Sequence, residues 1–253
     1  MTSTTFRSLG IDQDLVDELS ATGIDQPFSI QVMAIPDVLE GHDVCGRAQT
    51  GSGKTIAFGL PMVQMVTPAK PGRPRGLVIV PTRELAVQVT AVLEPLAKLR
   101  DIPLLTVYGG SSMRAQIDAM KRSSGIVVAT PGRLIDLMDR KVVNLGDVEM
   151  VAIDEADQMA DMGFLPQVRR IMRTVPDEHQ TMLFSATLDG QVGALVDAYM
   201  TDPLRHEVDN PTDQVDHMEH RFLKVHHMDK VKVAAQSASH QRRTLMFVRT
   251  KHA

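Results

Sequence analysis

Eight residues near the start of the chain fit only a few folds: Ala48-Gln49-Thr50-Gly51-Ser52-Gly53-Lys54-Thr55. This glycine-rich string lies between a strand predicted at 43–45 and a helix predicted at 55–66. Glycines let backbone amides approach phosphate oxygens without a Cβ in the way, and a helix N-terminus adds a positive dipole. The string therefore predicts a loop that holds nucleotide phosphates, although Ala48 stands where such loops usually begin with glycine. A helix entry whose glycines serve close packing is the alternative.

Short apolar runs alternate with longer helical patterns along most of the chain. Most of the runs are nearly continuous in apolar residues, which is typical of strands that are covered on both faces. The repetition predicts an α/β fold with a parallel sheet and helices on both faces, whose ligands bind outside the carboxyl ends of the strands. The predicted strands are 43–45, 77–80, 104–108, 126–129, 150–153, 181–184 and 204–208, and the predicted helices are 55–66, 84–99, 114–122, 133–139, 165–173 and 190–200.

An acidic string, Asp154-Glu155-Ala156-Asp157, follows the apolar run at 151–153. A carboxylate at the end of a buried strand is costly unless it is paired or bound to a metal. Lys54 would reach the β- and γ-phosphates, while Thr55 and Asp154 would hold Mg²⁺ and Glu155 would orient or deprotonate the attacking water. We therefore predict Glu155, Lys54 and Asp154 as catalytic residues. Taken alone, the acidic string would also suit a solvated first turn of a helix.

The composition limits the class of protein. The 253 residues, 43% hydrophobic and 23% charged, suit one large domain or one domain and part of another. A net charge of −4 argues against a uniformly basic surface for nucleic acid but permits a local basic stripe. We expect no secretory signal and no association with a membrane, because no apolar run approaches roughly 20 residues. The single cysteine, Cys45, favours the reducing cytoplasm.

The end of the chain differs in character from the rest. We predict a first domain at 1–208, a polar linker at 209–216 and the incomplete start of a second domain at 217–253. The last part is predicted to contain a strand at 219–225, a helix at 229–239 and a strand at 244–248. So short a segment cannot bury a core of its own, so we expect it to be loose, docked on the first domain or paired with another copy in a tail-mediated dimer.

With these segments the chain resembles the DEAD-box ATP-dependent RNA helicases, a family with two RecA-like domains. The resemblance covers most of the chain, and its segments occur in the family's order. Phe6 followed by residues 23–31 is similar to the adenine-reading Q motif, with Ile24 where the family usually has phenylalanine. The other similar segments are 48–55 (motif I), 81–86 (motif Ia), 109–110 (the GG element), 130–133 (motif Ib), 154–157 (motif II), 185–187 (motif III) and 245–251 (motif IV).

The resemblance implies three sets of site residues. In the nucleotide-binding set, Gln31 would hydrogen-bond the adenine edge and Phe6 would pack against the base; the set is Phe6, Gln31, Ala48, Gln49, Thr50, Gly51, Ser52, Gly53, Lys54 and Thr55. A second set would hold the sugar-phosphate backbone of RNA independently of sequence: Pro81, Thr82, Arg83, Gly109, Gly110, Thr130, Pro131, Gly132 and Arg133. A third set would couple hydrolysis to strand separation: Asp157, Ser185 and Thr187.

The resemblance also implies a reaction, in which ATP with Mg²⁺ is hydrolysed to ADP while short RNA duplexes are unwound. Motifs V and VI, whose arginines reach the γ-phosphate from the second domain, have no counterpart in these 253 residues. We therefore expect the chain to be the nucleotide-binding half of the enzyme, weakly active without the remainder of the second RecA-like domain. A nucleotide- and RNA-binding module without turnover and a DNA-directed helicase of the same superfamily are the alternatives.

Overall fold

The computed structural model of the protein describes residues 4–208, 222–239, 244 and 246. The chain divides into two units, Met1–Asp209 and Asn210–Ala253. Most of what can be described belongs to the first unit, and each unit is considered by itself.

A parallel sheet forms the centre of the first unit. Within the described residues it has seven strands in the order β3-β4-β2-β5-β6-β1-β7, and every neighbouring pair is parallel. The strand order requires crossover connections, which the helices supply. The strands are β1 (Val44–Arg47), β2 (Gly76–Ile79), β3 (Leu104–Val107), β4 (Ile126–Ala129), β5 (Met150–Asp154), β6 (Gln180–Ser185) and β7 (Leu204–Glu207).

Helices cover both faces of this sheet, because neighbouring residues of a strand point to opposite sides. Val78 and Val128 lie in one buried apolar cluster, whereas Leu77 and Val127 lie in another. The strands thus bury apolar side chains on both faces of the sheet, which explains the continuous apolar runs in the sequence. The helices of this unit are α1 (Gln13–Ala21), α2 (Ser29–Leu39), α3 (Lys54–Met65), α4 (Arg83–Leu99), α5 (Met113–Arg122), α6 (Pro131–Asp139), α7 (Ala156–Asp161), α8 (Leu165–Met172) and α9 (Gly190–Tyr199).

The structure confirms the predicted parallel sheet with helices on both faces, and it adds three helices that the sequence patterns did not predict. These are α1, α2 and α7. Two of them, α2 and α7, contain residues of the segments interpreted as functional motifs. In α1 the signal is present, since Leu15 and Leu19 are buried at a spacing of one helical turn. No helix in the described residues is long and apolar enough to cross a membrane.

The second unit agrees with the predictions only in its helix. The helix α10 (Lys230–Ser239) follows a 3-10 turn at His227–Asp229 and matches the helix predicted at 229–239. The strand predicted at 219–225 is wrong for residues 222–225, which have no regular structure and whose apolar Phe222 is 95% exposed. An apolar run becomes a strand only where a neighbouring strand pairs with it. Of the strand predicted at 244–248, only residues 244 and 246 are described, and neither is in a strand. Most of the segment predicted to mediate a dimer lies outside the described residues.

The contact between α3 and α4 depends on a glycine. A Cβ built on Gly59 would lie 2.3 Å from Cδ2 of Leu93, which is fully buried on α4. We expect Gly59→Ala to lower the free energy of unfolding by about 1–3 kcal/mol through overpacking, although alanine is the better helix former. Gly132→Ala is the matched control, because a Cβ there meets nothing within 4 Å. Urea denaturation measures both variants, and a Gly59→Ala variant as stable as the wild type would refute the close packing.

Candidate functional site

The glycine-rich string forms a tight loop between β1 and α3. Gly51 and Gly53 have left-handed φ angles of 87° and 88°, a conformation that glycine adopts without strain. A Cβ on Gly53 would also lie only 2.4 Å from Nε2 of Gln31. The helix α3 begins at Lys54, directly after the loop. The loop thus places backbone amides and the positive end of a helix together, which suits an anionic ligand.

A buried group of charged side chains lies beside the loop. Nζ of Lys54 donates to Oε1 of Glu155 at 2.8 Å and lies 3.7 Å from Oδ1 of Asp154. The hydroxyl of Thr50 donates to the same Oε1 atom at 2.8 Å. Lys54, Asp154 and Glu155 are each less than 9% exposed. The structure therefore brings the three predicted catalytic residues into one ion-paired cluster.

The pKa of the Asp154 carboxyl is unusually high. Burial raises its pKa from 3.8 to about 6, and the positive charge of Lys54 opposes that rise only in part. The amide of Glu155 also donates to Oδ1 of Asp154 at 3.0 Å, which favours the ionised form. Below about pH 6 a proton would therefore compete with any cation at this oxygen.

Glu155 is held in a strained backbone conformation. Its φ and ψ angles of 54° and 50° are left-handed, which costs a residue with a Cβ roughly 1–2 kcal/mol. The residue occupies the N-cap of α7, directly after β5. Strain of this kind is concentrated at functional sites, where surrounding contacts keep a side chain in place.

The charged cluster lines a cavity of about 560 Å³ together with residues 23–26 and Gln31. The Gln31 side chain is 2% exposed; its Oε1 accepts from the amide of Phe28 at 2.8 Å, and its Nε2 donates to the carbonyl of Gly53 at 2.9 Å. Gln31 thus joins α2 to the phosphate loop. We call this space the nucleotide cavity.

One predicted nucleotide contact requires a correction. Phe6 is only 1% exposed and does not line the nucleotide cavity. Instead it belongs to the apolar cluster that also contains Ile30 and Ile56. Burial of so large an apolar ring stabilises the fold, and Phe6 therefore contributes to the apolar core rather than to the wall of the cavity.

The residues present fit a nucleotide with its magnesium ion. Oγ of Ser52 is buried in the loop and has no hydrogen-bond partner among the described residues. Lys54 is the only cationic residue that lines the described nucleotide cavity. No cluster of three or more His, Cys, Asp or Glu side chains in the described residues would hold a metal by itself. Mg²⁺ is instead bound by one or two carboxylates together with phosphates and waters, which Asp154 and Thr55 permit.

Asp157 connects the acidic string to the end of β6. Its amide donates to Oγ of Ser185 at 3.1 Å, and its Oδ2 accepts from the amide of Ala186 at 3.2 Å. Thr187 is exposed on the same turn. The structure therefore joins Asp157 to Ser185 and Ala186, whereas Thr187 makes none of the hydrogen bonds in this link.

The segments predicted to hold RNA meet at the ends of β2, β3 and β4. Oγ1 of Thr82 accepts from the amide of Leu85 at 3.2 Å and so caps α4. The guanidinium of Arg83, the first residue of α4, lies 5.1 Å from the ring centre of Tyr108. Arg133 donates from Nη1 to the carbonyl of Ser111 at 3.2 Å. Pro131 begins α6, with Thr130 before it and Gly132 after it, and Gly110 is left-handed beside Arg83.

The sheet order separates two groups of loops along one edge. The segments at 81–83, 108–111 and 130–133 follow β2, β3 and β4, which are neighbours in the sheet. The phosphate loop, the acidic string and residues 185–187 follow β1, β5 and β6, which are also neighbours. The helix α4 connects the groups, because it begins at Arg83 and lines the nucleotide cavity with Leu85, Gln88 and Val92.

Two features of the site were missed in the sequence. Tyr108 was interpreted as the end of a strand, although an aromatic residue directly before a glycine pair is a usable signal. The bond from Thr50 to Glu155 joins residues that are 105 positions apart. No local pattern identifies such a bond, because it depends on the order of the strands.

Comparison with known proteins assigns the family. The family described as DEAD/DEAH box helicase matches residues 28–195. A Bacillus cereus protein named DEAD-box ATP-dependent RNA helicase CshA is 40% identical over 91% of this chain and 44% of its own length. The Listeria monocytogenes ATP-dependent RNA helicase CshA is 39% identical over 98% of this chain and 48% of its own length. The chain therefore spans less than half the length of these relatives.

Solved structures agree with this assignment. A DEAD box protein from Methanococcus jannaschii matches with a TM-score of 0.77 at 29% identity, over 94% of this chain and 64% of that one. A hypothetical ATP-dependent RNA helicase from Sulfolobus tokodaii matches with a TM-score of 0.72 at 35% identity, over 78% of this chain and 57% of that one. The sheet described above is the RecA-like fold of such structures. The chain belongs to the DEAD/DEAH box helicase family.

Proposed function

We propose that this chain is the ATP- and RNA-binding half of an ATP-dependent RNA helicase. The observation that carries the proposal is the buried contact of Lys54 with Glu155 and Asp154 at the phosphate-loop end of the nucleotide cavity. Lysine with two carboxylates beside such a loop serves phosphoryl transfer in nucleotide hydrolases. The ligand is ATP with Mg²⁺, and ADP is the product.

Each residue of the cluster has one role in this proposal. Lys54 exchanges its bond to Glu155 for contacts with the β- and γ-phosphates, and the loop amides and Ser52 hold the remaining phosphate oxygens. Glu155, which Thr50 continues to orient, accepts the proton of the attacking water. Thr55 and Asp154 hold Mg²⁺, which when bound neutralises charge on the phosphate oxygens. Asp157 relays the state of this site to Ser185 at the end of β6.

The loops after β2, β3 and β4 bind one strand of RNA through its backbone. Arg83 and Arg133 supply charge, Thr82 and Thr130 supply hydroxyl groups, and the glycines at 109–110 and 132 let the strand approach the backbone. These contacts do not distinguish bases. The ligands, together with the single Cys45, favour a cytoplasmic location.

We expect the 253-residue chain by itself to bind nucleotide but to turn it over slowly. No arginine lines the described nucleotide cavity, and an arginine directed at the γ-phosphate contributes roughly 10³–10⁵ in rate to such enzymes. Titration calorimetry with ADP and Mg²⁺ tests binding, and a phosphate-release assay with and without RNA tests turnover. Absence of ADP binding would refute the proposed function. Strong stimulation of hydrolysis by RNA would instead refute the weak turnover of the isolated chain.

The RNA surface makes a separate prediction. Arg133→Ala should weaken the binding of single-stranded RNA and reduce the slope of log K against log salt by about 1, as expected for the loss of one phosphate contact. Arg140→Ala is the control, since Arg140 is exposed at the C-terminal end of the same helix. Fluorescence anisotropy between low and moderate salt measures the slope. Equal slopes for the two variants would place the RNA elsewhere, and DNA competing as well as RNA would favour a DNA-directed helicase.

A further inference from the structure

We infer that the nucleotide site of this chain accepts adenine nucleotides with an apolar aryl group on the base, and that a second cavity holds this group. The inference rests on the proposed function, because it assigns the base end of the same site. It concerns a cavity between α1 and α4 that none of the predicted site residues uses.

The second cavity is mainly apolar. It has a volume of about 220 Å³ and is lined mainly by apolar side chains. Two polar residues, Glu18 and Thr22, also line it, and among the residues that the structure describes no cationic side chain does. We call it the apolar cavity. Its principal apolar walls are Leu19, Ile24, Ile56, Val92, Pro95 and Leu96.

The apolar cavity adjoins the nucleotide cavity. Ile24, Ile56 and Val92 line both cavities. With phosphates at Lys54, the base lies toward residues 23–26, where Ile24 forms a wall shared by the two spaces. The segment is fixed, because the amide of Ile24 donates to the carbonyl of Leu19 at 2.9 Å. The residues that the two cavities share are therefore all aliphatic.

The size and chemistry of the apolar cavity select its occupant. A cavity of roughly 150 Å³ lined by aliphatic side chains stays dry and binds benzene, so the space here admits a phenyl ring. It is too small for a helix or a peptide strand. Without a cationic side chain it offers no partner to a second phosphate or carboxylate. An aryl group attached to the base satisfies both limits, because the phosphates hold the nucleotide while the ring fills the apolar cavity.

A binding experiment with the complete 253-residue chain tests the inference. The probes are ADP and two derivatives with a phenylethyl group, one at N6 of adenine and one through sulfur at C2, because the two bonds leave the ring in different directions. At least one derivative should bind as tightly as ADP or more tightly. An apolar group that fills such a pocket typically gains roughly tenfold or more in affinity.

Closing the apolar cavity should remove that preference. Ala91 lines the apolar cavity from α4 but does not line the nucleotide cavity. Ala91→Leu should keep the affinity for ADP and lower the affinity for the favoured derivative about tenfold. Ile24→Phe should likewise lower the affinity for the favoured derivative relative to the affinity for ADP. Ala115→Leu, at an exposed position of α5, is the control and should change neither.

Each outcome has one meaning. If both derivatives bind at least tenfold more weakly than ADP, or if Ala91→Leu leaves their preference intact, the apolar cavity does not hold the substituent. If ADP itself does not bind to the wild type, the proposed function fails instead.

Discussion

Lys54→Ala should abolish nucleotide binding, with an affinity for ADP and Mg²⁺ at least about 100-fold below that of the wild type. Lys54 is the only cation that lines the described nucleotide cavity, and it is 5% exposed between two carboxylates. Removal of one partner of a buried ion pair leaves the other charge unpaired, which typically costs about 3–5 kcal/mol. We therefore expect a large loss of unfolding free energy together with the loss of binding.

Two measurements separate these effects. Urea denaturation gives the free energy of unfolding, and titration calorimetry with ADP is performed at a temperature where circular dichroism shows the variant to be folded. Lys98→Ala is the control, because Lys98 is exposed near the end of α4. A folded Lys54→Ala variant that binds ADP within tenfold of the wild type would remove Lys54 from the phosphate site.

Asp154→Asn should change the pH dependence of stability. The pKa of Asp154 is raised from 3.8 to about 6, mainly by burial, so between these values the folded chain holds more protons than the unfolded chain. The contribution of Asp154 to the free energy of unfolding of the wild type is therefore greatest below pH 3.8 and falls as the pH rises through about 6. Asparagine does not titrate. The unfolding free energy of Asp154→Asn minus that of the wild type should therefore increase by about 2–3 kcal/mol between pH 4 and pH 7.

Denaturation series in matched buffers measure this difference, with Asp118→Asn on the exposed side of α5 as the control. A difference for Asp154→Asn that stays flat between pH 4 and pH 7 would contradict the raised pKa. The same variant should also lose the Mg²⁺ dependence of ADP binding, which in the wild type should strengthen as the pH rises through about 6, because Mg²⁺ binds the ionised carboxylate.

The sequence predicts the fold best where a short run of neighbouring residues determines the local structure. The strands β2 and β5 are continuous in buried apolar residues, and their positions were predicted within about one residue. Ligand-binding loops were also predicted at the carboxyl ends of the strands. Helix α2 was missed because its eleven residues include the internal Pro36 and are apolar around most of the helix, so no polar face distinguishes it.

The remaining features depend on long-range packing. The resemblance assigns Phe6 to the base, yet its side chain is buried in the apolar cluster that contains Ile30 and Ile56. That burial depends on residues distant in the sequence. The contact of Arg83 with the ring of Tyr108 joins two loops whose proximity follows from the strand order β3-β4-β2. The apolar cavity likewise requires the spacing of α1 and α4, which periodicity alone does not supply.

The position of β1 in the sheet also has a consequence for how the chain is made. Val44 is paired with Met182 on one side and Leu204 on the other, so both neighbours of β1 are far along the chain. During synthesis β1 has no partner in the sheet until β6 follows, and its second partner is complete only at Glu207. A nascent chain that stalls before β6 can therefore form much of the surface proposed for RNA while its nucleotide site is still unassembled. The phosphate loop is therefore translated before the two strands that would fix it in place.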